Sequence, residues 1–376
     1  MARQLRTVPA ADLSPDDVRA ALAGTAPLAV LPAGPPAAVA AAREVLAPEM
    51  PLETGVDLVV VTSGSTGGGR GVLLPATALT ASAEATHARL GGPGAWLLAL
   101  PVSAIAGLQV LCRSVVAGEP PTVLARQESL AAAVARMPAG RRYTALVPTQ
   151  LRRFLDTEPD GLRAFDAVLV GGAATDPALL ARAHDARVAV VTTYGMTETA
   201  GGCVYDGRPL EGVDVRVTDG GVELAGPTLA LGYRLEPTST GAAFADGWFR
   251  TRDAGSLRDG VLTVTGRLDD VVITGGVNVA PAAVEAVLRD HPDVADAVVL
   301  GRPDDEWGQR VVAAVVPDGG RAPELADLRA WVAARLGPPA APRQLHLITE
   351  VPLLHTGKPD RRAVSSQIDA ALNPEV

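Results

Sequence analysis

The chain has 376 residues, 48% of them hydrophobic, and a formal net charge of −9. This length favours two domains, and the hydrophobic content is sufficient for buried cores. The acidic balance argues against a broad nucleic-acid surface, and the sequence shows neither a secretory signal nor an apolar run long enough to span a membrane. We therefore expect a cytoplasmic protein with no nucleic-acid partner and no integral membrane association.

Cysteine and histidine usage gives no sign of a protein metal cage. Cys112 and Cys203 are far apart, and none of the five histidines form an HxH or HxxxH pair. Lysine usage is more informative, because Lys358 is the one lysine among 33 basic residues. Codon bias explains why arginine dominates but not why one lysine remains, and its compact ammonium is something arginine cannot copy. Composition alone leaves chance open as the reason.

The first 195 residues alternate between predicted strands and helices. Residues 1–50 are rich in Ala and Pro and predict short helices with loops. The β-branched run Leu58–Thr62 predicts a buried strand, and a Gly/Ser loop follows at 63–71. Further strands are predicted at 96–102, 121–125, 143–148, 167–172 and 188–195, and helices at 76–90, 107–118, 129–137, 149–157 and 176–185. This alternation predicts a doubly wound, mainly parallel sheet.

The pattern changes after residue 200. Short alternating segments with Gly-rich turns, at 213–226 and 248–266, predict antiparallel hairpins in a small barrel or edge sheet. From Asp269 onward, helices and strands alternate over a length that suits a small α+β domain. We predict an α/β fold, with a large N-terminal domain (1–268) of mainly parallel sheets with a small β-barrel-like part, and a small C-terminal domain (269–376).

A loop rich in glycine and hydroxyl side chains follows the first predicted strand. Glycines let the backbone approach a polyanion, successive N–H groups form an anion nest, and hydroxyls with one arginine add donors. It is not a Walker A loop, because Arg-Gly stands where Lys-Ser/Thr is required. A flexible surface loop is the alternative. The candidate phosphate-binding residues are Thr62, Ser63, Gly64, Ser65, Thr66, Gly67 and Arg70.

A second polar segment, Tyr194–Thr199, ends another predicted strand. Ligands of open α/β sheets collect beyond the carboxyl ends of strands. There Thr197 could donate to a phosphate and Glu198 could hold Mg2+, which commonly takes one or two carboxylates plus phosphate oxygens. An ordinary helix cap with an acidic first turn is the alternative. After a neighbouring strand, a flat ring could lie against the backbone of Gly171, Gly172 and Ala173.

Two later segments carry further charged candidates. Asp253 could accept both hydroxyls of a ribose, and Arg267 could face a phosphate or the ribose. Surface charges on two hairpin turns are the alternative. Lys358 lies in the segment Thr356–Asp360, and taken by itself it would be a solvated loop lysine.

Five separated segments resemble, in order, the motifs of the adenylate-forming superfamily of acyl-CoA synthetases, luciferases and peptide-synthetase adenylation domains. The segments are TSGSTGGGRG (62–71), YGMTET (194–199), GWFRTRD (247–253), GRLDDVVITGGVNVAP (266–281) and TGKPDRR (356–362). The resemblance runs from about Asp57 to Arg362. It implies an enzyme that uses ATP, Mg2+ and coenzyme A (CoA) and that carries its catalytic lysine on a mobile C-terminal lid.

The resemblance also implies a role for each matching residue. Ser63–Gly71 would bind the β- and γ-phosphates of the nucleotide, and Thr197 its α-phosphate. Gly171–Ala173 would lie along the adenine beside Tyr194. Asp253 would bind the ribose, assisted by Arg267. Glu198 would hold Mg2+, and Lys358 would bridge the substrate carboxylate and the α-phosphate. Asp269 would be the hinge of the lid, and the loop Gly275–Gly276 would line the pantetheine tunnel.

Three positions depart from the superfamily pattern. The phosphate loop usually ends Pro-Lys-Gly and here reads Gly69-Arg70-Gly71. A usual Thr-Gly-Asp is Thr251-Arg252-Asp253, which puts a bulky group beside the ribose site. Ala104 stands where a histidine or aromatic residue often helps to shape the acyl pocket.

The short chain and the segments LPVSAIAGLQVL, LVPTQL and PLLHTGKPDRR most resemble o-succinylbenzoate–CoA ligases of menaquinone biosynthesis. This resemblance implies an aromatic keto diacid as substrate, and packing or capping is the alternative role of the pocket candidates. One alternative function is a ligase for another aryl or aliphatic acid; another is a nucleotide-binding homologue impaired in turnover. A homodimer is left open. The pocket candidates are Ser103, Ala104, Thr149, Gln150, Gly195 and Thr199.

Overall fold

The computed structural model describes residues 3–62, 69–319, 322–353 and 359–372. The helices in these ranges are α1 (Pro15–Leu22), α2 (Pro36–Leu46), α3 (Ala76–Arg89), α4 (Ile105–Ala117), α5 (Leu130–Ala135), α6 (Pro148–Thr157), α7 (Pro159–Leu162), α8 (Pro177–Asp185), α9 (Pro237–Ala243), α10 (Pro281–Arg289), α11 (Leu325–Leu336) and α12 (Arg361–Leu372). Short 3-10 helices are present at Thr197–Thr199 and Pro338–Ala340.

The strands are numbered in chain order. The first ten are β1 (Arg6–Pro9), β2 (Leu28–Leu31), β3 (Leu58–Thr62), β4 (Arg70–Leu74), β5 (Ala95–Leu98), β6 (Thr122–Val123), β7 (Arg142–Leu146), β8 (Ala167–Val170), β9 (Val190–Met196) and β10 (Gly201–Tyr205). The remainder are β11 (Arg208–Pro209), β12 (Asp214–Thr218), β13 (Gly221–Ala225), β14 (Gly232–Tyr233), β15 (Phe244–Ala245), β16 (Trp248–Arg258), β17 (Val261–Arg267), β18 (Val272–Thr274), β19 (Val277–Val279), β20 (Val294–Asp304), β21 (Gly308–Pro317) and β22 (Gln344–Leu347).

The chain divides into two compact units. The first contains residues 1–216, 223–251 and 257–262, and the second contains 217–222, 252–256 and 263–376. The strands β12 and β16 therefore have residues in both units. The predicted domain boundary between 268 and 269 stays a prediction.

Two sheets of the first unit carry its parallel strands. One has the order β1-β2-β3-β4-β14, in which β1 to β3 are parallel while β4 and β14 run antiparallel to their neighbours. The other has the order β11-β10-β9-β8-β7-β5-β6, in which β9, β8, β7, β5 and β6 are parallel and β10 is antiparallel to β9. A buried apolar cluster joins this larger sheet to α5, α6 and α8.

Local chemistry explains why the helices beside these sheets begin and end where they do. Helix α4 ends at Gly118, whose left-handed φ of 73° accommodates the C-terminal turn. The Asp176 carboxylate caps α8 by accepting from the Ala178 N–H at 2.8 Å, and Pro177 then opens the helix. These features confirm the helices predicted at 107–118 and 176–185.

A third sheet has the order β12-β13-β16-β15, with β17 beside β16. The second unit contains a fourth sheet of order β19-β18-β21-β20, with β22 parallel to β21. Valine and alanine side chains of β20 and β21 form its apolar core with α10 and α11. The prediction of an α/β fold with a small α+β part towards the C-terminus is thus confirmed.

Two sequence-based expectations were wrong in detail. Residues 1–50 contain β1 and β2 in addition to the predicted helices. The strand β2 is only LAVL, but all four residues are buried, and its place beside β3 outweighs the helix-favouring composition. Arg70 and Gly71 begin β4 rather than ending a loop. The hairpin predicted at 248–266 is confirmed, since β16, which contains Asp253, pairs with β17.

No helix in the described part of the chain is long and apolar enough to cross a bilayer.

Candidate active site

The predicted phosphate loop lies in the chain between β3 and β4, two interior strands of the first sheet. Thr62 pairs with Arg70 in the antiparallel register, and its hydroxyl is 3.4 Å from the Arg70 carbonyl oxygen. A Cβ on Gly69 would lie 2.5 Å from the Thr62 carbonyl oxygen, so this closing turn requires glycine. The predicted ligands Ser63, Gly64, Ser65, Thr66 and Gly67 lie outside the described residues.

Arg70 has a defined position on this strand. Its guanidinium carbon lies 5.0 Å from the centroid of the Tyr233 ring, a cation–π arrangement. Its Nε is 3.3 Å from the Glu236 carboxylate, and both side chains are more than one third exposed. The cation is therefore supported on one side by an aromatic face and remains accessible to an anionic ligand.

Glu198 contacts the same tyrosine, Tyr233, through its hydroxyl. It stands in the 3-10 helix that follows β9, and its Oε1 accepts a hydrogen bond from the Tyr233 hydroxyl at 3.1 Å. Burial, and then the charge of Glu198, raise the pKa of Tyr233, so the phenol stays a protonated donor. Arg70 and Glu198, which were predicted from motifs more than 100 residues apart, are thus brought together around one ring.

The remaining residues of the Tyr194–Thr199 segment are tied into the backbone. Thr197 is buried at the start of the 3-10 helix. The Thr199 hydroxyl accepts from the Met196 N–H at 3.0 Å and lies 2.8 Å from the Gly201 carbonyl oxygen. A Cβ on Gly195 would lie 2.2 Å from that same carbonyl oxygen. Tyr194 is half-buried in β9, opposite Val204.

Steric constraints explain why glycines follow β8. A Cβ on Gly171 would lie 2.2 Å from the Thr193 Oγ1, so no larger residue fits without displacement. Gly172 has a left-handed φ of 83°, and Ala173 is exposed. The backbone is bare at the carboxyl end of a central strand, where the sequence predicted a flat ring.

The pocket candidates from the α4 and α6 regions lie at helix N-termini. Ser103 and the N-cap residue Ala104 are half-buried, and Ala104 makes no side-chain capping bond. Thr149 is exposed on the first turn of α6. The Gln150 amide is held by the backbone, since its Oε1 accepts from the Val147 N–H at 3.1 Å and its Nε2 donates to the Ala99 carbonyl at 2.8 Å.

The predicted ribose and hinge residues lie in the second unit. Arg267 forms a two-pronged contact with Asp269, with both N–O distances 2.9 Å, and lies 3.6 Å from Asp253. Arg252, the bulky departure from the motif, is 3.2 Å from the Asp269 carboxylate. Burial alone would raise the pKa of Asp269, but the hydrogen bond and charge of Arg267, helped by Arg252, hold it below its ordinary value.

Gly275 and Gly276 form the tip of the β18–β19 hairpin. The register pairs Thr274 with Val277, which leaves a two-residue turn with φ values of 56° and 78°. Such turns need left-handed backbone at both positions, which glycine supplies without strain. A Cβ on Gly275 would lie 2.7 Å from the Trp307 ring, whereas Gly276 faces open space.

Lys358 lies in the segment 354–358, outside the described residues. The residues on either side of the segment meet, because Leu353 forms a bridge with Pro359 and the Asp360 N–H donates to the Pro352 carbonyl at 2.7 Å. The Asp360 carboxylate then caps α12. The catalytic role of Lys358 stays a prediction.

Sequence reasoning missed three residues of the first unit that organise this region. Tyr233 contacts both Arg70 and Glu198. The side chain of Arg234 is fully buried, and it donates to carbonyls after α2 and to the Glu53 carboxylate at 2.6 Å. Buried Gln109 donates from its Nε2 to the Ala200 carbonyl at 2.7 Å. The triplet Gly-Tyr-Arg at 232–234 was the available signal, an aromatic residue between a turn glycine and a cation.

The donor set suits a magnesium ion that is bound mainly through a nucleotide. Within the described ranges, no group of three or more His, Cys, Asp or Glu residues is arranged to hold a metal. Glu198 supplies one oriented carboxylate close to a cation, and Mg2+ commonly takes one or two carboxylates plus substrate phosphates. The residues therefore fit a metal that arrives with polyphosphate.

Comparison with family models assigns the chain to a class. The model described as AMP-binding enzyme matches residues 13–231, and the model described as AMP-binding enzyme C-terminal domain matches residues 283–358. The chain belongs to the AMP-binding enzyme family. The resemblance to the adenylate-forming superfamily is thereby confirmed.

Individual relatives of this chain are named as ligases of one acid. A Mycobacterium tuberculosis protein named "Probable 2-succinylbenzoate--CoA ligase" is 50% identical over 326 residues, covering 83% of this chain and 85% of that protein. The 2-succinylbenzoate–CoA ligase of Listeria monocytogenes is 31% identical over 327 residues, covering 82% of this chain and 69% of that protein.

Two solved structures show the same fold as this chain. The Bacillus subtilis o-succinylbenzoate CoA synthetase (MenE), in complex with its acyl-adenylate intermediate, is 25% identical and superposes with a TM-score of 0.76 over 96% of this chain and 82% of that chain. ATP-bound MatB from Rhodopseudomonas palustris, also 25% identical, superposes with a TM-score of 0.77 over 97% and 79% of the two chains.

Proposed function

We propose that the chain is an ATP-dependent acid–thiol ligase that converts o-succinylbenzoate (2-succinylbenzoate) to its CoA thioester in menaquinone biosynthesis. The convergence of Arg70 and Glu198 around Tyr233 carries the proposal, because it joins a phosphate-binding cation to a metal-binding carboxylate. The named relatives that cover most of this chain support the choice of acid. Because the reaction consumes ATP and CoA, we propose the cytoplasm as its location.

The first step forms an acyl-adenylate. An oxygen of the substrate carboxylate attacks the α-phosphorus of ATP, a new P–O bond forms, and the bond to the β-phosphate breaks to release pyrophosphate. Negative charge builds at the α-phosphate and on the leaving group. Thr197 and Lys358 act at the α-phosphate, and Arg70 with Ser63–Gly67 binds the outgoing phosphates. Mg2+, when bound with the nucleotide at Glu198, supplies further charge neutralisation.

The nucleoside is held by separate groups. The bare backbone of Gly171, Gly172 and Ala173 lies along the adenine, with Tyr194 beside it. Asp253 accepts the ribose hydroxyls, assisted by Arg267, which lies 3.6 Å from it. The contacts of Arg267 with Asp253 and Asp269 support this assignment, because they pre-arrange the charges at the C-terminal end of β17.

The second step transfers the acyl group. The CoA thiol loses its proton to solvent as its sulfur attacks the acyl carbon, the bond to the AMP oxygen breaks, and AMP leaves. Asp269 acts as the hinge between the two steps, and the Gly275–Gly276 hairpin lines the path of the pantetheine arm. The tight two-residue turn supports this role, because it presents backbone without side chains to a narrow ligand.

The acid is recognised at the N-termini of α4 and α6 and at the turn after β9. The proposed pocket residues there are Ser103, Ala104, Thr149, Gln150, Gly195 and Thr199. Of these, Gln150 and Thr199 already use their polar atoms on the backbone, so we assign them the shaping of the pocket wall rather than the charge of the acid.

Mass spectrometry tests the two steps directly. Enzyme with ATP, Mg2+ and o-succinylbenzoate, without CoA, should accumulate the acyl-adenylate and release one equivalent of pyrophosphate. Addition of CoA should convert the adenylate to AMP and o-succinylbenzoyl-CoA. ATP binding without either product would instead support a homologue impaired in turnover, for which the departures at Ala104 and Arg252 are the specific observations.

The oligomeric state is a separate question. We retain the homodimer as a proposal, and light scattering on the purified chain tests it, since a monomer mass at micromolar concentration contradicts it.

A further inference from the structure

Tyr233 contacts both Arg70 and Glu198. The residue is 6% exposed, and its ring lies under the Arg70 guanidinium at 5.0 Å. Its hydroxyl donates to the Glu198 Oε1 at 3.1 Å. The sequence motifs gave this tyrosine no role, although it touches the predicted phosphate ligand and the predicted metal ligand at once.

Backbone hydrogen bonds and an aromatic neighbour fix the position of Tyr233. Tyr233 pairs with Val72 in the β14–β4 ladder, its N–H donates to the Thr240 hydroxyl at 2.9 Å, and Phe244 packs edge-on at 5.7 Å. The next residue, Arg234, is buried among the carbonyls that follow α2 and donates its own N–H to the Gly71 carbonyl at 2.7 Å. The tyrosine is therefore fixed to the strand that carries Arg70.

Glu198 is tied to the same segment at two points. Its backbone carbonyl accepts from the Ala230 N–H at 2.8 Å, and its carboxylate accepts from the Tyr233 hydroxyl. A donor on one carboxylate oxygen fixes the rotation of the group, as partners behind metal ligands commonly do. A fixed carboxylate loses less rotational freedom when a cation binds to it.

We propose that Tyr233 is a positioning residue for the metal–nucleotide complex. Its hydroxyl sets the Glu198 carboxylate for Mg2+, and its ring sets the Arg70 guanidinium for the phosphates. The assignment rests on the proposed function, because it takes the ligand to be a magnesium-bound nucleoside triphosphate.

Two substitutions at the one position separate the two contacts. Tyr233→Phe removes the hydroxyl and keeps the ring under Arg70, whereas Tyr233→Leu removes both. Tyr143→Phe is the matched control, because that hydroxyl is also part-buried and donates to the Leu90 and Gly92 carbonyls but contacts no proposed ligand. Thermal unfolding of each variant establishes that it is folded.

The binding measurements use a non-hydrolysable ATP analogue and the full chain. The nucleotide Kd is measured by calorimetry in EDTA, and the Mn2+ Kd of the nucleotide complex is measured by electron paramagnetic resonance. For Tyr233→Phe we expect an unchanged nucleotide Kd in EDTA and a Mn2+ Kd about tenfold or more weaker. For Tyr233→Leu we expect, in addition, a nucleotide Kd in EDTA about two- to fivefold weaker. Tyr143→Phe should match the wild type in both.

Each outcome decides the proposal. Equal Mn2+ affinity in the wild type and Tyr233→Phe overturns it, and so does equal weakening in Tyr143→Phe. If Tyr233→Leu does not fold, Tyr233→Phe still decides. A wild type that binds no metal–nucleotide complex overturns the proposed function and this assignment together, which distinguishes that failure from one confined to Tyr233.

Discussion

At the scale of single residues, His87 shows how burial alone sets a pH response. The residue is 5% exposed, and its Nε2 accepts a hydrogen bond from the Trp96 indole at 3.2 Å. Burial, assisted by the nearby charge of Arg113, lowers the pKa of His87 from 6.5 to about 4. The folded chain therefore holds this histidine neutral at a pH where the unfolded chain protonates it.

We predict that this difference costs stability on acidification. The contribution of His87 is fully present above pH 6.5 and is lost as the pH falls towards 4, because the unfolded state then binds the extra proton. The loss between those limits should be about 2 to 3 kcal/mol. Urea unfolding of the wild type and of His87→Gln across this range measures it. Parallel pH profiles for the two proteins would contradict the prediction.

Lys358 carries the sharpest catalytic prediction. A point charge at the α-phosphate should be worth about 100- to 1000-fold in rate. We expect Lys358→Ala to lose acid-dependent pyrophosphate release by that factor while ATP binding persists. Lys358→Arg should also be strongly impaired, since its fork is larger than the ammonium. Arg19→Ala, on an exposed helix side chain, is the control. Near wild-type adenylation by Lys358→Ala would show that the role is wrong.

Sequence reasoning reached some of these residues and not others for a physical reason. Arg70 and Glu198 belong to motifs whose chemistry is readable from residue type and spacing. Tyr233 acts through two partners that are distant along the chain, and His87 is defined by what surrounds it. Neither property is visible before the sheets bring those partners together.

At the scale of elements, a motif loop was located from the sequence and short strands were not. The resemblance implied a loop at Gly275–Gly276, and the structure shows there a two-residue hairpin turn with positive φ at both glycines. By contrast, β1 and β2 have four residues each, too few to display a period against an Ala/Pro-rich background. They are strands because β3 offers a parallel edge to β2, and β2 in turn offers one to β1.

The hairpin makes an asymmetric stability prediction. Both glycines have positive φ, so alanine at either position is strained by about 1 kcal/mol or more. Only at Gly275 would the new Cβ also press on Trp307, at 2.7 Å. We therefore expect Gly275→Ala to destabilise the chain more than Gly276→Ala in urea unfolding followed by tryptophan fluorescence. Equal destabilisation would mean that the Trp307 contact relaxes freely.

At the scale of the whole molecule, the central expectation is that one residue separates the two half-reactions. Proline fixes φ and removes an N–H, so Asp269→Pro should spare adenylation and slow thioester formation by about 10- to 100-fold. Asp269→Ala is the matched control, because it removes the contacts with Arg252 and Arg267 without fixing the backbone. Single-turnover assays measure each step. Equal losses in both steps would argue against a hinge.

The fold class, the α/β succession from α3 to β9 and the family were all accessible from sequence, because continuous apolar strands and five ordered motifs are redundant signals. The division of the chain was less accessible. The third sheet has strands such as β16 with residues in both compact units, so no break in composition marks a single boundary.

The most direct test of the proposed function is pyrophosphate release with ATP and Mg2+ against a panel of acids, each with and without CoA. The panel should contain o-succinylbenzoate, benzoate, medium-chain fatty acids and malonate. We predict the highest kcat/KM for o-succinylbenzoate, with its CoA thioester formed only when CoA is present. A higher kcat/KM for another acid would support the chemistry but contradict the assigned substrate. Absence of pyrophosphate release with every acid in the panel would contradict the assignment as a ligase.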